Sequence, residues 1–266
     1  MSTDVVAARP GFGHTLRAEW IKLRSLRSTW YTLGCLFVVA LGITILASNA
    51  AGQSWAEATD AERQAWDPTG RSLTAYIVAQ LIVGVLGILV VTSEYATGLM
   101  GTTLTAMPRR TRVLAAKVVL ATVVAVIAGE VLMFASFLIG QPLMDRQGVP
   151  VAGLDDPGVL SAVVAGGLYL AAIALLAVGL GVLMRATAGA LATLVGIVFL
   201  VPAVAGIFPS WMHGVFTYWP TIGGSAALGT VADPDFPHPW LNLGGMCLAI
   251  AGVLAAAFVV FRRRDV

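Results

Sequence analysis

Residues 73–112, LTAYIVAQLIVGVLGILVVTSEYATGLMGTTLTAMPRRTR, decide the fold. Positions 73–93 hold no charged residue. A bilayer core of ~30 Å asks for about 20 apolar residues per helix, so this run suits one crossing. Glu94 closes it, and Pro108-Arg109-Arg110-Thr111-Arg112 turns the chain back with three basic groups. The stretch therefore reads as a membrane span, a polar exit and a basic reversal.

Working outward, five more stretches of the same kind appear at about 30–48, 113–139, 159–184, 188–208 and 240–261. The basic residues alternate with them. Segments 1–29, 94–112 with Lys117, 185–187 and 262–266 hold 5, 4, 1 and 3 of the lysines and arginines, or 13 of the 16. The other side holds only Arg63, Arg71 and Arg146, against Glu57, Asp60, Glu62, Asp67, Asp145, Asp155, Asp156, Asp233 and Asp235. Lys/Arg-rich loops stay in the cytoplasm, which places both termini there and predicts a multi-pass protein of the cell membrane. The first run, preceded by five basic groups, is expected to be a retained anchor rather than a cleaved leader.

Composition agrees. The chain of 266 residues is 58% hydrophobic and 11% charged, with mean hydropathy +0.86; a soluble domain carries about 25% charged residues. The expected fold is an all-α membrane protein forming one domain over 1–266. A net charge of +2, with the basic groups beside apolar spans, implies a lipid bilayer as partner and no nucleic acid. Cys35 and Cys247 lie at depths too different for a disulfide and are expected to be packing residues. Fourteen arginines against two lysines read as a coding bias.

Small residues let helices approach closely in lipid, and Gly166-Gly167, Gly179-Leu180-Gly181 and Gly244-Gly245 are candidate contact points. The turn Arg185-Ala186-Thr187 makes the fourth and fifth spans antiparallel neighbours. Before the sixth span, Trp211, Met212, Val215, Phe216, Tyr218 and Trp219, then Pro220, Gly223, Gly224 and Gly229, are too apolar for a free loop and too broken for a span. A short re-entrant or interfacial helix is expected there, either as a lid over an exit path or as an aromatic anchor.

Two elements at the basic side stand out. In 16–30, Leu16, Trp20, Leu23, Leu26 and Trp30 gather within an arc of about 120° on a helix, interrupted by Glu19 and Arg27, which predicts an amphipathic interfacial helix. In 93–112 an acidic residue, a glycine turn and a basic reversal predict a helical hairpin that a soluble partner would grip, or a plain turn.

The motifs Glu19-Trp20-x-Lys22-Leu23-x-Ser25, Glu94-Tyr95-x-x-Gly98 and Thr102-Thr103-Leu104-x-Ala106-x-Pro108-Arg109-Arg110-x-Arg112-x-Leu114-x-x-Lys117 resemble the type-2 exporter permeases of the ATP-binding cassette transporters. The six-span layout matches as well. The resemblance implies a connecting helix containing Glu19, Trp20, Lys22 and Leu23. It also implies a coupling helix after the second span, with Glu94, Tyr95 and Gly98 inside it and Pro108, Arg109 and Arg110 closing it. Leu99 and Met100 depart from the family, which often has Thr and a basic residue there.

A phosphate-binding loop needs Gly-x-x-x-x-Gly-Lys-[Ser/Thr], and neither Lys22 nor Lys117 stands in one. No cofactor is expected on this chain. ATP and magnesium would sit on a separate cytosolic ATP-binding subunit, with a second copy or a related permease completing a dimer. No catalytic or metal site is proposed: His14, His213 and His238 are scattered and no Gly-x-Ser-x-Gly motif occurs. Glu130 is the ionisable residue deepest in a span, about 27 Å from Arg112 at 1.5 Å per residue. It is either a carboxyl bonded to a neighbouring helix or the working acid of an ion- or proton-coupled secondary carrier, the alternative function.

Overall fold

The computed structural model describes residues 11–101 and 110–263. They form helices and connecting turns, with no strand among the described residues. Six stretches are long and apolar enough to cross a membrane: Arg27–Glu57, Pro68–Ala96, Arg110–Asp145, Val159–Met184, Thr187–Ile207 and Pro239–Arg263. Each coincides with one of the apolar runs read from the sequence, the fifth ending at Ile207, one residue short of the run. In element order, α1 (Phe12–Ser25) precedes α2 (Arg27–Glu57), then come α3 (Asp60–Gln64), α4 (Pro68–Leu73) and α5 (Tyr76–Ala96), the last two forming the second span. They are followed by α6 (Arg110–Asp145), α7 (Val159–Met184), α8 (Thr187–Val195), α9 (Val201–Val204), α10 (His213–Phe216) and α11 (Pro239–Arg263).

Local chemistry sets several of the ends. Thr59 and Glu62 form a reciprocal capping box that starts α3. Asp67 caps α4, its side chain accepting from the Gly70 N–H, with Pro68 at the first helical position where its missing N–H costs nothing. Between α1 and α2 a single extended residue, Leu26 (φ −76°, ψ 117°), breaks the helix.

α7 is the central post. Of its most apolar window, 83% is buried, against 22%, 17% and 22% for the first, fifth and sixth spans, so those three turn most of their surface outward. It packs against α5, α6 and α11. Close approach is possible because the contact positions carry no side chain: a Cβ on Gly87 would lie 2.4 Å from the Ala174 carbonyl, and one on Gly129 would lie 2.9 Å from that of Gly167. In lipid, where a neighbouring helix is no more apolar than an acyl chain, such packing is what associates helices. Buried polar bridges add specificity: Tyr169 donates to Gln80 at 2.6 Å and Thr44 to Ser136 at 3.1 Å.

Of the expected glycine contacts, Gly166, Gly167, Gly179 and Gly245 face side chains of neighbouring elements and Gly181 faces the Ile88 backbone of α5, while Gly244 faces open space. Cys35 and Cys247 are both free and exposed. The expectation that they are packing residues is therefore corrected: both lie on exposed faces of α2 and α11, outside the buried core.

The segment before α11 is a series of short turns, Ser210–Met212, α10 and Gly223–Leu228, rather than one helix. Phe216 sits between Phe208 and Trp219, at 5.6 and 6.3 Å between ring centres, while Trp211 is exposed.

A candidate coupling junction at the basic end

Where α1, α5 and α6 meet, four charged side chains close on one another. Lys117 of α6 donates to Glu19 Oε2 and to Glu94 Oε1, each at 2.7 Å, and to the Val90 carbonyl at 3.2 Å. Lys22 of α1 donates to Glu19 Oε1 at 2.8 Å and to Glu94 Oε1 at 3.0 Å. Among the described residues, two carboxylates and two ammonium groups balance in charge. Lys117 and Glu19 are 4% and 3% exposed, whereas Lys22 remains 39% exposed at the rim.

Local structure dictates which groups arrive. Glu19, Lys22 and Leu23 share one face of α1 by the three- and four-residue spacing of a helix, and that face lies against α6. Glu94 lies in the last turn of α5, and Lys117 is two turns into α6. Burial of a charge is costly unless a partner and hydrogen bonds compensate, and here each ammonium answers both carboxylates. Burial alone would lower the Lys22 pKa, but hydrogen bonds and charge from Glu19 and Glu94 outweigh it and hold it above 10.5.

A cavity of about 240 Å³ opens beside the junction, lined by Glu19, Lys22, Leu23, Glu94, Leu99 and Lys117 among others. Glu94 Oε2 is buried there without a hydrogen-bond partner. The next residue, Tyr95, has its ring 5.4 Å from the Arg185 guanidinium carbon, linking α5 to the turn after α7. Thr92 and Thr187 bond at 2.9 Å beside it. Gly98 adopts φ +71°, a conformation that favours glycine, and ends the second span; helix resumes at 99–101. There Leu99 is exposed and Met100 is buried with Val91, Val113, Leu114 and Phe261. Arg110 opens α6, while Pro108 and Arg109 lie outside the described residues.

The structure thus brings together Glu19, Lys22, Leu23 and Glu94, and separates Trp20 and Glu130 from them. The buried face of α1 is Thr15, Glu19 and Leu23, with Trp20 43% exposed. The arc read through Trp30 fails because the break at Leu26 resets the helical phase; Trp30 belongs to α2 and its indole N–H instead caps the Arg24 carbonyl at 2.9 Å. Glu130 lies on α6 about 20 Å beyond Lys117 at 1.5 Å per residue. Its carboxyl occupies the space left by Gly167, where a Cβ would stand 2.4 Å from Glu130 Cδ, and its Oε2 is buried without a hydrogen-bond partner. At that oxygen the hydrogen bond to a neighbouring helix, expected of the carboxyl, is not made.

Sequence reasoning missed Lys117 as a member of the junction. A signal for it existed: the chain has two lysines among its 16 basic residues, and both are here. A coding bias toward Arg does not explain where Lys survives. A compact ammonium can enter a crowded space between two carboxylates, whereas a planar guanidinium needs room for its fork.

Residues 15–203 match the model of a family described as ABC-2 family transporter protein. No curated protein matches the chain. The matched stretch contains the whole junction and ends before the turns that precede α11.

Proposed function

We propose, from the premise that the chain belongs to the ABC-2 transporter family, that it is the permease subunit of an ATP-driven exporter whose ATP is hydrolysed on a separate subunit. The observation that carries this reading is the four-charge junction, placed where the polar exit of the second span meets α1 and α6. A partner bearing on residues 94–110 would act on a unit that is already cross-linked, so displacement of Glu94 reaches α1 through Lys22 and α6 through Lys117 without bending any one helix. From α1 it passes to α2 through the one-residue break at Leu26. In this reading Glu94, Tyr95, Gly98, Pro108, Arg109 and Arg110 belong to the coupling element, Glu19, Trp20, Lys22 and Leu23 to the connecting helix, and both termini face the cytoplasm.

The 266 residues contain no Gly-x-x-x-x-Gly-Lys-[Ser/Thr] motif, which supports placing ATP and magnesium on another chain. The largely outward faces of the first, fifth and sixth spans support a second permease copy, or a related one, completing the pathway. The turns of 209–239 then lie on the outer side, with Trp219 and Thr221 reaching in to Ile197 and Val198 of the fifth span.

The test is co-expression and reconstitution with a candidate ABC ATP-binding subunit. The pair is expected to co-purify and hydrolyse ATP, and Glu94→Arg, which sets three cations against one carboxylate, is expected to abolish coupling. Full ATPase coupling and export in that variant sink the assigned role of Glu94. The runner-up, a carrier driven through Glu130, draws support from the unpartnered Oε2; it is the better account if Glu130→Gln abolishes transport that persists after ATP depletion.

A further inference from the structure

The fifth span contains a turn whose backbone cannot satisfy itself. Residues Gly196–Leu200 are wound as a π turn, and the Val201 N–H bonds to the Gly196 carbonyl five residues back. In an α-helix that N–H would serve Ile197. In the wider register the Ile197 carbonyl would turn to residue 202, which is Pro202 and has no N–H. The Val198 carbonyl loses its partner for the same reason, since its α-helical donor would also be residue 202. Two consecutive carbonyls are left open within an apolar helix, where unsatisfied backbone is costly.

Both are taken by one segment. The Trp219 indole N–H donates to the Ile197 carbonyl at 2.7 Å, and the Thr221 hydroxyl donates to that of Val198. The backbone of that segment is folded tightly enough to present the two side chains together: the Gly224 N–H returns to the Trp219 carbonyl at 2.8 Å, and a Cβ on Gly223 would lie 2.0 Å from the Thr217 carbonyl. At its far end the Asp67 carboxylate accepts from the Thr230 N–H at 2.7 Å and from its hydroxyl at 2.8 Å.

We propose that Trp219 and Thr221 are positioning residues that latch residues 213–228 as a strap onto the fifth span, and that the latch is set by the winding of that span. With Gly196–Leu200 in the π register the two acceptors are open and the strap is held. If the Val201 N–H returns to Ile197, the turn tightens to an α register and Trp219 loses its acceptor; the Val198 carbonyl stays open because Pro202 has no N–H, so the strap is then held by Thr221 alone and loosens. The bistable element is one helical turn, and such a register change is among the small shifts that packed helices convert into larger ones. Its use as an outer gate rests on the transport reading above; the latch itself does not.

The experiment is hydrogen exchange followed by mass spectrometry on the full chain in lipid nanodiscs, comparing wild type with Thr221→Val, Trp219→Phe and Pro202→Ala. Thr221→Val removes a donor, and exchange across 213–228 is expected to rise at least about threefold. Pro202→Ala alters no residue of the strap but restores an N–H that competes for the Ile197 and Val198 carbonyls. It is expected to speed exchange in 213–228 by a similar factor while slowing it in 197–203. A merely structural role for the strap would leave it untouched in Pro202→Ala, and wild-type exchange at 213–228 in that variant overturns the proposal. Should Thr221→Val not fold, Trp219→Phe keeps the ring and removes the other donor, with the same expected direction. Thr44→Val, which removes a buried hydroxyl elsewhere, should leave 213–228 unchanged; acceleration there equal to that of the latch variants would mean general loosening and also overturn it. Failure of the chain to couple to an ATP-binding subunit would refute the exporter reading and leave these exchange results intact.

Discussion

The two ends of the bundle solve the same problem with different partners. At the basic end, four side chains neutralise one another: Glu19, Lys22, Glu94 and Lys117. At the acidic end, polar side chains serve the backbone. Asp67 takes N–H groups of Gly70 and Thr230, Gln141 donates to the Pro68 carbonyl and accepts from the Ala152 N–H, and Trp66 donates to the Pro150 carbonyl. Trp219 and Thr221 do the same for the fifth span. At the basic end the described breaks at Leu26, Gly98 and Arg185 are short, and α1, α5 and α6 bring charged side chains to one point, so the charges must find each other. The acidic end consists of short helices and turns, and every break exposes donors or acceptors that must be met. A junction of mutually paired charges moves as a unit, whereas backbone clamps fix the path of individual loops.

The comparison breaks most sharply at Lys117. Lys117→Ala leaves Glu19 and Glu94 with the half-exposed Lys22 as their remaining partner in the junction, and removing one member of a buried ion cluster costs about 3–5 kcal/mol. Thermal unfolding in detergent should show a large drop in Tm. If the cluster is a unit, Glu19→Gln with Lys117→Met should cost less than the sum of the two single changes, because Lys22 and Glu94 remain as an intact pair. Strictly additive losses would mean that the four charges do not act together.

An intermediate effect is expected at the acidic end. Asp67→Ala removes the α4 cap and both bonds to Thr230, for a loss of about 2 kcal/mol. Limited proteolysis should then cut 229–239 sooner while leaving the basic end protected. Equal exposure of both ends would show that the clamp supports the whole bundle rather than one loop path.

The contrast also explains what was legible in the sequence. The six spans were readable because 20-residue apolar runs and the placement of Arg and Lys are direct statements about a bilayer. Glu94 could be singled out because it closes an apolar span, and Glu19 and Lys22 through the motif that resembles the exporter permeases, although their contact was not legible, since α1 and α5 meet only in the folded bundle. Lys117 was counted among the basic residues and closed the third resembling motif, but only its rarity as a lysine hinted at a place beside Glu19 and Glu94. The clamps of the acidic end were illegible for a deeper reason. Thr221 binds a carbonyl that Pro202, lacking an N–H, leaves open, while Trp219 binds one that exists as an acceptor only because Gly196–Leu200 is wound wide. No side-chain pattern encodes that acceptor. The phase of α1 was lost likewise to a single backbone break at Leu26.

The smallest effect separates the rim of the junction from its buried core. Lys22 shares both carboxylates with Lys117, yet it is 39% exposed, so water and salt screen its share. Lys22→Ala is therefore expected to cost under about 1 kcal/mol, well below Lys117→Ala in the same assay, and the loss should shrink further in 1 M salt. The pH dependence has a definite sign. The folded-state pKa of Lys22 lies above the unfolded 10.5, so its contribution is complete below that value and disappears as pH rises through the folded-state value. Between pH 6 and 9 the Tm difference between wild type and Lys22→Ala should stay flat, narrowing only in stronger alkali. A Lys22→Ala loss as large as that of Lys117→Ala, and indifferent to salt, would place Lys22 in the buried core and erase the distinction between rim and centre.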